Sequence, residues 1–213
     1  MLELGVKILI AYLLGSLLGG LIVGQLRGGV DIRTLGSGNA GGTNALRTQG
    51  PVFAAWVMLI DVGKGWLAVR LTDVSLPGIG LDPLVSRDWL AVGCATAAVL
   101  GHVFPIWYGF RGGKGAATLV GVLLGLQPMA LVPVLLTWLG IVLLSGFVGL
   151  ATMLACVAYV VFLLVSGVTL SDPLLSFGVA MTLFVCFTHR SNIERMRAGT
   201  EHRLHRLWLL RPR

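Results

Sequence analysis

Three polar islands interrupt an otherwise apolar chain, and their residue types suit the handling of phosphate. They are GSGNAGGTNALR (residues 36–47), GHVFPIWYGFRGGKGAAT (101–118) and HRSNIERMRAGTE (189–201). In the first, Gly36, Gly38, Gly41 and Gly42 leave the backbone free to turn N–H groups toward an anion, while Ser37, Asn39, Thr43 and Asn44 add side-chain donors and acceptors. Arg47 offers a planar, two-pronged donor set. The plainer reading of the same residues is a glycine turn whose caps open the next helix.

The second island sets Gly112, Gly113 and Gly115 around Lys114, immediately before an apolar helix. A phosphate at that helix N-terminus would meet free N–H groups, a favourable dipole and an ammonium. It is not a Walker loop, which would need glycine where Tyr108 stands. Lys114 also reads as an inside anchor that snorkels to the interface. His102, ahead of Phe104-Pro105, is either a capping side chain in a turn or a ligand-facing donor or base. In the third island His189 and Asn192 share a helix face with Arg195. Glu194 and Arg197 can pair, Glu201 follows the turn at Gly199, and Trp208 suits an interfacial anchor. By pattern alone this is a basic juxtamembrane helix. Asp61 and Lys64 lie inside an apolar run, where ionisable residues are expensive. At i and i+3 they either neutralise one another or support the first two islands from below.

The elements that must position these residues are membrane helices. The chain has 213 residues, 56% hydrophobic and 12% charged, with mean hydropathy +0.89, which excludes an ordinary soluble domain. Several runs approach or exceed the roughly 18 apolar residues of a spanning helix. No polar stretch is long enough for a second domain, so residues 1–213 read as one polytopic all-α bundle, and 30 glycines fit its close helix packing. The net charge of +7 is not a nucleic-acid signal: seven of the 16 Lys and Arg lie at 190–213, beside the last apolar run, and no groove-reading motif is present. Cys94, Cys156 and Cys186 stand singly in apolar runs, which implies neither a metal site nor a disulfide framework. The first apolar stretch carries Glu3 early and lacks a convincing A-x-A site, so it reads as a retained span rather than a signal peptide.

The predicted spans are 4–26, 52–71, 89–107, 116–126, 129–144, 147–165 and 174–188. The stretch 116–144 admits one long helix or two short ones broken near Gln127-Pro128. Charge decides between them. Arg27, Arg33 and Arg47 follow the first span, Arg111 and Lys114 the third, and seven arginines lie at 190–213, whereas 72–88 holds three Asp and only Arg87. The positive-inside rule then puts all three islands beside the cytoplasm and the N-terminus outside. That requires an even number of crossings between the second and third islands. Two helices satisfy it and one does not, so the expectation is seven spans with a cytoplasmic C-terminus. An 11-residue fourth span would reach only about 16 Å, so it begins within the second island or the fifth is shallow.

The islands resemble the three signature motifs of the bacterial membrane acyl-phosphate:glycerol-3-phosphate acyltransferases, GSGNxGxTNxLR, GHxFPxxxxFxGGKGxAT and HRxNIxRxxxGxE. All three are matched in order, and Asp61-Val-Gly-Lys64-Gly65 resembles a further family element. The resemblance covers about residues 14–201. It implies a seven-span bundle in the bacterial inner membrane with a cytoplasmic active site, a step of phospholipid biosynthesis, and no metal or coenzyme. The implied reaction moves a fatty acyl group from acyl phosphate to the sn-1 hydroxyl of glycerol 3-phosphate, giving lysophosphatidate and inorganic phosphate. The H-x-x-x-x-D signature of thioester-using acyltransferases is absent: Trp107 stands five after His102, and Glu194 five after His189 points about 140° away. One departure stands out. Where the family has an Arg-Tyr-x-Ser-x-x-Ser-like element, residues 146–152 read GFVGLAT, without the arginine and first serine. Ser145 or Thr152 is the candidate to compensate.

On this reading Ser37, Arg47, Lys114 and the glycine-rich backbone hold the phosphates, with Gly38, Asn39, Thr43, Asn44, His102, Gly112, Gly113, Gly115 and Glu201 completing the substrate site. His189 and Asn192 orient glycerol phosphate, and Asp61, Lys64 and Thr152 give support. The hydroxyl proton goes to His189, His102 or the departing phosphate. The rivals are a transporter of a phosphorylated solute, for which no internal repeat is evident, and an acyltransferase drawing on acyl-CoA or acyl-carrier protein. Partners beyond the two substrates and membrane lipids are not implied, and oligomeric state is left open.

Overall fold

The computed structural model describes residues 1–204 and 208–210, so that Arg206, Arg211 and Arg213 of the basic tail lie outside the described residues. The described residues form ten α-helices joined by short 3-10 turns and loops. By its internal contacts the chain divides into two compact units, Met1–Leu126 and Gln127–Arg213.

The first unit holds α1 (Leu2–Gly15), α2 (Gly19–Leu26), α3 (Gly42–Gln49), α4 (Pro51–Arg70), α5 (Arg87–Val103) and α6 (Ala116–Leu126). Small and mid-sized side chains, including Ala11, Leu90, Cys94, Ala97 and Ala98, pack α1 onto α5. The α4–α6 crossing depends on glycine on both helices. A Cβ on Gly65 would run into the Thr118 carbonyl, and one on Gly121 into the Val62 carbonyl. Backbones this close are typical of helices that pack without a hydrophobic driving force between them.

The single first span expected over 4–26 is two helices, α1 and α2, bent by 49°. No proline is there to announce it. The break is stabilised from α4: Lys64 Nζ donates to the Leu17 carbonyl at 2.7 Å, and Asp61 Oδ1 accepts from Gly19 N–H at 3.1 Å. Those are the backbone groups a helix interruption releases, and in an apolar surrounding they must find partners.

The second unit holds α7 (Leu131–Ser145), α8 (Val148–Val165), α9 (Pro173–Thr188) and α10 (Arg190–Arg197). The expected break near Gln127-Pro128 is present. Helix α6 stops at Leu126, Gln127 is extended (φ −154°, ψ 77°), and Pro128 opens the 3-10 turn that leads into α7. The α7–α8 turn pivots on Gly146, whose φ of 74° lies in the left-handed region. Helices α9 and α10 meet at His189 with a 53° bend.

Among the described residues, four segments are long and apolar enough to cross a membrane, Pro51–Asp73, Arg87–Tyr108, Pro128–Ser145 and Val148–Val165. The α1–α2 and α9–α10 pairs bring the number to six if each is one crossing, and Ala116–Leu126 is shorter than a full span.

Candidate active site

In the first unit a buried ionic cluster underlies the second island. Asp61 and Lys64, one turn apart on α4, form an ion pair of 2.8 Å with both side chains almost fully buried. They do neutralise one another, as their spacing allows. Lys64 also reaches His102 Nδ1 at 2.9 Å. An ammonium has only hydrogens to give, so Nδ1 is the acceptor, and the neutral ring carries its hydrogen on Nε2. The pair thus supports the second island through His102, and the α1–α2 break through Leu17 and Gly19. Oδ2 of Asp61 and the hydroxyl of Thr118 on α6 are buried without a hydrogen-bond partner among the described residues.

The glycines of the second island do other work than expected. Gly112 N–H donates to the Val103 carbonyl at 3.1 Å and Gly113 N–H to the His102 carbonyl at 3.0 Å, so both close the end of α5 rather than face a ligand. Gly113 also sits at the Nε2 edge of the His102 ring, where a Cβ would strike Nε2. His102 is 2% exposed, which favours its reading as a structural side chain. Gly115 (φ 87°) turns the chain into α6, with half-buried Lys114 beside it.

The first island is a loop wrapped around one amide. Asn44, 2% exposed, donates through Nδ2 to the carbonyls of Ile32 (2.8 Å), Leu35 (3.0 Å) and Asn39 (2.9 Å), and Oδ1 accepts from Ser37 N–H at 2.9 Å. Expected among the substrate binders, Asn44 instead commits its whole amide to shaping the loop. Asn39 Oδ1 accepts from Gly41 N–H at 2.9 Å, a local turn ahead of α3, and Gly38 closes another turn back to Leu35. Ser37 on this loop and Thr43 and Arg47 on α3 are left exposed.

Arg33, expected only as a topogenic charge, joins the first two islands. Its Nη1 donates to the carbonyls of Arg111 (2.8 Å) and Tyr108 (3.3 Å), while Nε and Nη2 hold Asp31. The Arg33 guanidinium keeps the Asp31 carboxyl below the usual carboxylate range, and Asp31 in turn raises Arg33.

In the second unit His189 caps α9. Its Nδ1 lies 2.8 Å from the Val185 carbonyl, which can only accept, so Nδ1 carries hydrogen. Asn192, 8% exposed, donates to Glu201 Oε1 at 2.8 Å, and Arg195 Nε donates to Glu201 Oε2 at 2.6 Å. Glu201 therefore braces Asn192. Arg195, rather than Arg197 with Glu194, forms the ion pair of this island.

The stretch that departs from the expected family pattern is closed to a ligand at its hydroxyls. Thr152 donates to the Val148 carbonyl at 2.9 Å and accepts from Trp138 Nε1 at 3.3 Å. Ser145 donates to Ile141 at 2.7 Å and caps Phe147 N–H. Both side chains are turned into their own helices. No group of three His, Cys, Asp or Glu residues suited to a metal occurs among the described residues.

Residues 6–199 match the family model described as glycerol-3-phosphate acyltransferase. A protein of that name from Aquifex aeolicus is 35% identical over 196 residues, covering 92% of this chain and 96% of the relative. One from Crocosphaera subtropica is 42% identical over 199 residues, covering 92% of each. Among solved structures, the chain is similar to PlsY, an integral membrane glycerol 3-phosphate acyltransferase. The glycerol 3-phosphate form aligns with a TM-score of 0.82 at 33% identity, over 94% of this chain and 95% of that one. The lysophosphatidic acid form aligns with a TM-score of 0.81 at 32% identity, over 97% and 98%.

Proposed function

Because the chain belongs to the glycerol-3-phosphate acyltransferase family, we propose that it acylates glycerol 3-phosphate at the sn-1 hydroxyl with acyl phosphate as donor. The observation that carries the reading is the likeness, along nearly the whole chain, to PlsY structures in glycerol 3-phosphate and lysophosphatidic acid forms. The matched motifs favour acyl phosphate over a thioester donor. A solute transporter finds no support in the family.

The chemistry asks little of the protein beyond placement and charge. Acyl phosphate is an activated mixed anhydride. The glycerol hydroxyl oxygen forms the new ester bond to the acyl carbon, the carbon–oxygen bond to phosphate breaks, and phosphate leaves with the electron pair. Ser37, Arg47 and Lys114 offset the repulsion of two anionic substrates, Ser37 being presented by the loop that Asn44 shapes. His189 Nε2 is suited to accept the hydroxyl proton, since Nδ1–H is committed to Val185. Asn192, held by Glu201, orients the glycerol phosphate.

The protein is multi-pass, and the reading puts it in the bacterial inner membrane with seven crossings, α6 being the short one, and the reaction on the cytoplasmic face. The test offers purified protein glycerol 3-phosphate with acyl phosphate, acyl-CoA or acyl-carrier protein in turn. Lysophosphatidate from acyl phosphate alone is expected. Product from a thioester donor at a similar rate would refute the donor, and product from none would refute acyl transfer.

A further inference from the structure

The segment after α10 doubles back onto the α7–α8 turn and carries an arginine there. Leu204 N–H donates to the Gly146 carbonyl at 2.8 Å, Leu209 N–H to Leu143 at 2.9 Å, and Trp208 Nε1 to Leu144 at 3.1 Å. The Arg203 guanidinium lies 4.3 Å from the Phe147 ring centroid and 4.1 Å from that of Trp208. Two aromatic rings thus hold one planar cation, which fixes its orientation before any ligand arrives.

Gly146 is what admits this segment. A Cβ there would stand 3.1 Å from Arg203 Cβ and 3.3 Å from Trp208, and its φ of 74° already disfavours a side chain. A side chain at 146 would make the seated tail give way by a few tenths of an ångström. The arginine missing from the turn in sequence is therefore matched by one arriving in space from position 203.

The guanidinium is held but hardly neutralised. Among the described residues it has no carboxylate partner, and its one hydrogen bond, from Nη1 to the Ser145 carbonyl, is long at 3.4 Å. The nearest acid in the tail, Glu201, is already bonded to Arg195 and Asn192. That connection also ties Arg203, two residues on, to the side chain assigned to glycerol phosphate. Asn192 in turn packs 3.0 Å from the Cβ position of Gly149, one turn along α8 from the Arg203 seat. Since the hydroxyls of Ser145 and Thr152 are committed, Arg203 is the group at this turn with donors to offer an anion.

We infer that Arg203 is a phosphate-binding residue of this protein, delivered by the folded-back tail to the α7–α8 turn and oriented there by Phe147 and Trp208. Its ligand is a phosphate monoester, either of a soluble substrate or of a lipid headgroup. The assignment rests on the acyltransferase reading above.

Three variants test it: Arg203→Met keeps the apolar stack without charge, Arg203→Lys keeps charge without the planar fork, and Arg203→Gln keeps donors only. Activity is measured in detergent free of phospholipid, with glycerol 3-phosphate varied and inorganic phosphate as competitor. It is then measured in phosphatidylcholine vesicles with increasing phosphatidate. Trp208 fluorescence reports whether the tail stays seated. If the ligand is the substrate, Met and Gln raise KM for glycerol 3-phosphate and weaken phosphate inhibition by roughly tenfold, with kcat within about threefold and Lys intermediate. If it is a headgroup, KM is unchanged and the response to phosphatidate is lost. Unchanged KM and phosphatidate response in all three variants would overturn the proposal. So would a fall in kcat alone accompanied by altered Trp208 fluorescence, which marks a structural strap. An inactive wild-type protein with every donor would instead overturn the acyltransferase reading.

Discussion

Two buried charge clusters in the first unit look alike in composition and differ in completeness. The first gathers around Glu3 at the start of α1. Its Oε1 accepts from Lys7 (2.8 Å) and Arg87 (2.7 Å), and its Oε2 from Arg87 (2.8 Å) and Asp82 N–H (2.7 Å). Lys7 also donates to the Thr72 carbonyl at 3.0 Å. Every oxygen of that carboxylate is used. The second cluster, Asp61, Lys64 and His102, gives Oδ1 two donors, Lys64 Nζ and Gly19 N–H, and leaves Oδ2 buried with none among the described residues. A closed network binds α1 to the loop before α5 and has little left to offer. An open one holds a helix break and a histidine under the second island, and structures tolerate an unsatisfied buried group where something besides stability is being served. The Glu3 cluster is accordingly a staple, and we propose that the Asp61 cluster supports the chemistry.

The largest expected effect comes from Lys64→Met, which leaves the Asp61 carboxylate buried without its cation. A loss of about 3–5 kcal/mol is expected, with little activity in whatever folds, measured by thermal unfolding in detergent and by product formation per folded molecule. Removing both charges with Asp61→Asn and Lys64→Met should recover at least about 1 kcal/mol of that loss. Glu3→Gln strikes the other cluster. It should lower the thermal unfolding temperature, yet leave the specific activity of the folded fraction within about twofold. Equal loss of specific activity in Glu3→Gln and Lys64→Met would erase the distinction between the clusters.

Gly113→Ala sharpens the comparison without touching a charge. Its methyl group would press on His102 Nε2, so activity should fall about tenfold or more through displacement of the island. In a His102→Ala background the same substitution should have almost no further effect. A full additional loss there would show that the glycine acts elsewhere.

How much of this could be seen in the residues alone depends on the distance between partners. The motifs, the helices after the first and the break at Gln127-Pro128 are local, and those helices lie close to where the sequence puts them. The α1–α2 break is not local. Residues 4–26 contain no proline and are nearly all apolar, and the break is stabilised by Lys64 and Asp61, more than 40 residues away. The same holds for Arg87 meeting Glu3 across 84 positions, and for Arg33 reaching Arg111 across 78. Within the islands, residue type misled about direction. Glycine-rich sequence suggests N–H groups presented to a phosphate, but at Gly112 and Gly113 the end of α5 claims them first. Asn44 looked like a binding group because amides often are, and the loop that it organises is invisible until the chain is folded.

The smallest effect belongs to the exposed pair that joins the islands. Arg33 depresses the Asp31 pKa, so the stabilisation from this pair is complete at neutral pH and lost as pH falls through that lowered value. Asp31→Asn should cost less than about 1 kcal/mol at neutral pH, because both side chains are partly exposed. The difference from wild type should vanish below the usual carboxylate range. A difference that persists in strong acid would mean that Asp31 acts through something other than its charge.

The most direct test of the proposed acyl transfer from acyl phosphate is simultaneous measurement of inorganic phosphate and lysophosphatidate. Purified wild-type protein should release the two in equal amounts, only when glycerol 3-phosphate is present, and both Lys114→Ala and His189→Ala should lower them together by roughly a hundredfold or more. Phosphate released without lysophosphatidate, or either variant retaining near wild-type rates, would contradict the account.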